Sequence, residues 1–181
     1  MLESNNQTFN HLKVHTQYSI CQGAIKIEEL KNYCKKNKIQ SLGLSDTSNM
    51  FGALEFAENI SKVGTQPIIG TQINFKFEDT IGLLSLIALN EKGYKRIIEL
   101  SSKSYLENNT LSEPHLDINE LLIKTEGVLL LSGTIQGLFG KLFDKGRFDE
   151  ISKIQNNLQK VYGDRFYLEI QRHGDQNEIA F

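Results

Sequence analysis

Long hydrophobic runs, cysteines and an excess of charge of one sign are all scarce in this 181-residue chain, and each scarcity closes off a class of function. No apolar stretch reaches the ~18–20 residues that a bilayer-spanning helix needs. The polar start Met1–Thr8 has no secretory apolar core. Two cysteines, Cys21 and Cys34, stand in no metal-finger spacing, so free thiols in a reducing cytoplasm are the expectation. Formal charge is −2, which gives no global basic field for a nucleic-acid backbone; any such contact would need a local patch. Internal repeats and low-complexity tracts are absent too. What remains is a chain long enough for one domain with a sizeable core, 39% hydrophobic and 23% charged, as ordinary globular proteins are.

The segment 11–19 is the most informative. Leu12 and Val14 alternate with His11, Lys13 and His15, the period-two pattern of a strand that aims its basic side chains to one face. Downstream, the spacing predicts a helix over 25–37 and a strand over 42–45 ending at Asp46. A helix over 50–63 follows, capped by Asn49 and stopped by Gly64. Further strands are expected over 67–75, interrupted at Gly70, and over 83–89. A helix over 91–106, a loop over 108–114 and a short helix from Asp117 to Ile123 come next. A buried strand over 127–132, a helical stretch over 135–160 broken near Gly146, and a last strand over 165–170 complete the order. Strands alternating with helices argue an α/β fold with a parallel sheet or barrel. In such folds the strand carboxyl ends gather on one rim, which would unite His15, Asp46, Gln72, Ser132–Thr134 and His173.

Four blocks carry a family likeness: His-Leu-Lys-Val-His-Thr-Gln-Tyr-Ser (11–19), Leu-Gly-Leu-Ser-Asp-Thr-Ser-Asn-Met-Phe-Gly-Ala-Leu-Glu-Phe (42–56), Pro-Ile-Ile-Gly (67–70) and Phe-Tyr-Leu-Glu-Ile-Gln-Arg-His-Gly (166–174). In order and spacing they resemble the PHP (polymerase and histidinol phosphatase) domain at the amino terminus of bacterial replicative DNA polymerase III alpha subunits. The resemblance implies a distorted (β/α)7-type barrel with about six units present. A polar leader would occupy 1–8 and the domain 9–181, its final strand lying beyond the chain. It also implies a place in DNA replication through a longer DNA-directed DNA polymerase, a nucleotidyltransferase in the cytoplasm. The partners implied are the rest of the alpha chain, a proofreading exonuclease subunit, other holoenzyme subunits and DNA, with no membrane. Mg2+ would serve the polymerase domain and no cofactor this segment.

Metal-bearing relatives hold up to three ions through a His-x-His pair, an Asp-His pair, a Gly-x-Glu glutamate and further ligands. Here the matching positions read Lys13-x-His15, Asp46-Thr47 and Gly70-Thr71-Gln72, with Gln22 in place of an aspartate and Thr134 in place of a cysteine. His15, Asp46 and His173 remain as weak metal candidates. An ammonium repels a cation and a neutral amide is a poor substitute for a carboxylate, so the expected cleft is vestigial and without catalytic residues. Lys13 is expected to supply the missing positive charge by pairing with Asp46 or Gln72. The alternative is an active metal-dependent phosphoesterase or 3′–5′ exonuclease, in which clustered ions activate water. Cys21 and Cys34 are expected to pack as small apolar groups, and the lysines of 31–38 to line a solvated helix face, with contact to DNA or a partner as the lesser alternative.

Overall fold

A computed structural model describes residues 9–108, 113–171 and 174. The leader 1–8 and His173 lie outside them. Ile27–Asn37 (α1) is a helix because Ile27, Leu30 and Cys34 recur on one face, with Glu28 and Glu29 in its first turn and Lys35 and Lys36 in its last. Lys38 adopts a left-handed conformation and ends it. Ser41–Thr47 (β1) follows, then Ala53–Ser61 (α2) and Gln66–Phe77 (β2). Asn49 does not cap α2, whose N-cap is Gly52. The Asn49 side chain instead accepts the Phe51 N–H and donates to the Tyr18 and Thr47 carbonyls, tying two loops together. β2 runs through Gly70 without a break. A Cβ there would stand 2.6 Å from the Leu86 carbonyl oxygen, so glycine admits the neighbouring strand.

That neighbour, Thr80–Ala88 (β3), pairs antiparallel with β2, so the parallel sheet expected from the order of elements is a mixed one. Only Glu78 and Asp79 join the two strands, too short a link for a parallel crossover. Glu91–Leu106 (α3) has Asn90 as its N-cap, accepting the Gly93 N–H. Leu116–Asp117 (β4) then pairs with the end of β2, and Asp117 caps a 3-10 turn over Ile118–Leu122. Val128–Leu131 (β5) lies antiparallel to β3. Leu138–Asp144 (α4) and Phe148–Tyr162 (α5) flank Gly146, whose positive φ of 69° makes the break. The last strand shrinks to Phe166–Tyr167 (β6), parallel to β5, leaving Leu168 and Ile170 exposed. No helix among the described residues is long and apolar enough to cross a membrane.

The sheet order is β1-β2-β3-β5-β6, with β4 beside β2. The segment 11–16 extends it beyond β1, but as single bridges from Val14 to Leu44 and Thr16 to Ile25 instead of the full strand expected. Val14 donates to the Gly43 carbonyl and accepts from Ser45 N–H; past Thr16 the chain turns, with Ser19 N–H on the Thr16 carbonyl. The helices cover one face of the sheet. There Leu42 and Leu44 pack with Ile27, Leu30, Ala53 and Phe56. Ile73, Phe75, Leu84, Leu86, Leu130 and Phe166 pack with Ile97, Leu100, Leu138, Leu142, Ile154 and Leu158. The opposite face carries Ser45, Gln72, Asn74, Ser85 and Leu131, all buried although those helices pack on the other side. Burial there arises because the sheet curls around its own inner face, as in an opened barrel.

Candidate functional site

Strand register lines up Thr47, Gln72, Ser85, Leu131 and Tyr167 as successive cross-strand partners, so these side chains share the inner face. Gln72 Nε2 donates to Ser85 Oγ across the β2–β3 pair at 3.1 Å. Because Val14 packs outward with Leu44, its neighbours Lys13 and His15 turn inward. From the other edge of the sheet, beyond β6, comes Glu169. Its backbone N–H bonds Ser132 Oγ at 2.9 Å, which fixes its approach.

Lys13 Nζ meets Glu169 Oε1 at 2.8 Å, with the two side chains only 12% and 11% exposed. Gln171 Nε2 donates to the same oxygen at 2.8 Å. The expected partners of Lys13, Asp46 or Gln72, are therefore replaced by Glu169. For Asp46 the reason is strand parity. Asp46 is one residue out of phase with Ser45 and Thr47, so it faces away from the inner surface and toward Thr16.

Asp46 is fully buried and organises the turn after the first segment. Its Oδ1 accepts the Thr16 N–H at 2.6 Å and the Ser19 hydroxyl at 2.7 Å; its Oδ2 accepts the Thr16 hydroxyl at 2.7 Å. Ser19 Oγ also accepts the Thr47 N–H at 3.1 Å and lies 3.4 Å from His15 Nδ1. With the Ser19 proton given to Asp46, His15 is placed to hold its own proton on Nδ1. Burial, reinforced by the Lys13 ammonium, pushes the His15 imidazole below its ordinary value, against the upward pull of Asp46 and Glu169.

Of the positions expected to form the cleft, Lys13, His15, Thr47 and Gln72 lie on the inner side of the sheet. Thr47 and Gln22 bond each other, Thr47 Oγ1 donating to Gln22 Oε1 at 2.6 Å on the exposed rim. Thr134 sits in the turn before α4, its carbonyl accepting the Gly137 N–H, with no polar contact to Lys13, His15 or Asp46 among the described residues. Glu169, Ser19 and Ser85 were missed in the sequence reading. Glu169 alone had a signal, as the one carboxylate in 166–171. Cys34 is buried as expected; Cys21 is exposed, on a turn residue with positive φ, and does not pack.

A metal centre of the kind that the resemblance implies needs several imidazole or carboxylate donors converging on each ion. Among the described residues no group of three or more His, Cys, Asp or Glu side chains could hold one. Both Asp46 oxygens are engaged by hydrogen-bond donors, and the Lys13 ammonium occupies the inner face beside His15. The described residues do not fit a multinuclear hydrolytic site.

Comparison with known proteins gives the following. The family model described as "PHP domain" matches residues 11–173. The DNA polymerase III subunit alpha of Caulobacter vibrioides is 37% identical over 99% of this chain and 16% of its own length. That of Borreliella burgdorferi is 37% identical over 94% of this chain and 16% of its length, and that of Helicobacter pylori 35% identical over 93% and 15%. The chain thus spans about one sixth of these relatives. A solved structure from Bifidobacterium adolescentis, described as a metal-dependent phosphoesterase, shares the fold with a TM-score of 0.51 at 12% identity, over 94% of each chain.

Proposed function

The chain belongs to the PHP domain family, and from that premise we propose that it serves as the PHP module of a replicative DNA polymerase III alpha subunit, as a scaffold without hydrolytic activity of its own. The observation that carries this reading is the Lys13–Glu169 pair. It joins the first and last segments of the curled sheet through side chains 156 residues apart in sequence. Ions bound in a cleft would hold its walls together by bridging ligands from several strands; here an ammonium and a carboxylate bridge the two outer edges instead. Asp46 adds to this by locking the 16–19 turn onto the end of β1. In the longer protein the module would pack against the polymerase body and help hold a proofreading exonuclease subunit, with DNA and Mg2+ handled elsewhere in the alpha chain.

The test is to incubate the 181-residue chain with end-labelled single-stranded and primer-template DNA in Mg2+, Mn2+ or Zn2+ and follow mononucleotide release. No release above a protein-free control is expected. Metal-dependent release that titrates with the chain and is lost in His15→Ala would overturn the scaffold reading in favour of a nuclease.

A further inference from the structure

The carboxyl end of α1 carries an unbalanced charge. From Leu30 to Ser45 the sequence holds Lys31, Lys35, Lys36 and Lys38 and no carboxylate; from Asn59 to Phe77 it holds Lys62 and Lys76 and again none. Lys31 is neutralised by Glu28 at 2.6 Å. Lys35, Lys36, Lys38 and Lys62 are exposed and have no ion-pair partner among the described residues. Two bonds bring Lys62 to the same end as the other three: Thr65 Oγ1 donates to the Ile39 carbonyl at 2.7 Å, and Gln66 N–H to the Gln40 carbonyl at 2.8 Å. Glu58, one turn before Lys62, makes no ion pair with it.

A solvated helix end needs far less than this. The dipole at a helix carboxyl terminus is equivalent to roughly half a negative charge, which one lysine satisfies. Lys35 and Lys36 on the last turn of α1, Lys38 at its cap and Lys62 at the cap of α2 leave a surplus, while lysines elsewhere, such as Lys92, Lys95, Lys103 and Lys124, are matched with glutamates. Next to the surplus stands a flat apolar group. Tyr33 is 49% exposed, one turn before Lys36 and Asn37, and its carbonyl accepts the Asn37 side-chain N–H at 2.9 Å. An exposed ring one turn from the unpaired Lys36, on a helix end that carries further unpaired lysines, offers a base a stacking surface and its phosphates a set of cations.

We propose that Tyr33, Lys35, Lys36, Lys38 and Lys62 form a binding surface for single-stranded polynucleotide, with Tyr33 stacking a base and the four lysines contacting successive phosphates. This surface is separate from the inner face of the sheet and does not depend on the scaffold reading, because it asks nothing of the cleft. It also reconciles an overall charge of −2 with a nucleic-acid contact, since the positive potential is local.

The experiment is fluorescence anisotropy of labelled oligothymidylate titrated with the 181-residue chain over a series of KCl concentrations. Four phosphate contacts predict a log–log salt slope of roughly −3. Tyr33→Ala should weaken binding roughly tenfold, and the combined Lys35→Glu, Lys36→Glu, Lys38→Glu, Lys62→Glu variant should abolish it. The combined Lys→Gln variant at the same four positions should flatten the salt slope. All five side chains are exposed, and circular dichroism of each variant confirms folding. Binding that is absent at low salt, or unchanged in the lysine variants, would overturn the proposal. So would equal affinity for polyglutamate with no effect of Tyr33→Ala, which would assign the patch to an acidic polypeptide.

Discussion

Replacing Lys13 by Met leaves a side chain of similar length and removes only the ammonium. Glu169 Oε1 then keeps the Gln171 amide alone, and its Oε2 is already buried without a hydrogen-bond partner. Breaking a buried ion pair by removing one member costs about 3–5 kcal/mol. Since both side chains retain about a tenth of their exposure and one hydrogen bond survives, the expected loss is about 2–4 kcal/mol. For a chain of this size each kcal/mol moves the melting temperature by roughly 2–4 °C, so Lys13→Met should melt about 4–16 °C lower. Thermal unfolding followed by circular dichroism reads this directly. The control is the double change Lys13→Met, Glu169→Leu, which removes the whole pair and should recover much of the loss, because an apolar replacement of a complete pair is close to neutral. A melting temperature of Lys13→Met within a degree of the unaltered protein would refute the reasoning. A double variant no better than the single one would show that the edges are joined by something other than this pair.

Two further outcomes follow from the neighbouring groups. Asp46→Asn presents an amide N–H2 to a pocket already filled by three donors, from Thr16 N–H, the Thr16 hydroxyl and the Ser19 hydroxyl; a loss of about 2–4 kcal/mol in urea unfolding is expected, with faster amide exchange over 16–22. The His15 imidazole sits below its ordinary value of 6.5 in the folded chain, so between that folded value and 6.5 the unfolded chain binds more protons. Its contribution to stability is therefore complete above pH 6.5 and is lost as pH falls below it through the folded value. His15→Gln should flatten that part of the stability profile measured by urea titration across pH.

Much of the local structure was legible from residue pattern. α3 follows from Asn90 as a cap and from Ile97, Leu100 and Ser104 on one face, and its limits match the expected 91–106. The break between α4 and α5 was signalled by Gly146, and the inward aim of Lys13 and His15 by alternation. Alternation gives only parity, however. It states which side of a strand a residue takes and says nothing of what stands opposite, so the partner of Lys13 could not be read. Direction of pairing was equally hidden: the strands expected over 67–75 and 83–89 were placed in a parallel sheet, whereas the two-residue link Glu78-Asp79 turns β3 back on β2. The segments 11–19 and 165–170 have strand-like patterns of full length, yet at the sheet's edges they keep only a few backbone partners.

The sequence by itself determined that this chain mixes strands and helices, that its first segment carries Lys13 between His11 and His15 in a period-two pattern, and that it has no net basic charge. Those are properties of neighbours along the chain, set by periodicity and residue type. Only the tertiary structure decided that the sheet is mixed and curled, that Lys13 meets Glu169, and that Asp46 spends its oxygens on Thr16 and Ser19. These contacts join residues from 27 to 156 positions apart. Which distant groups meet depends on how the strands are ordered and how strongly the sheet bends, and the burial of the whole core sets both.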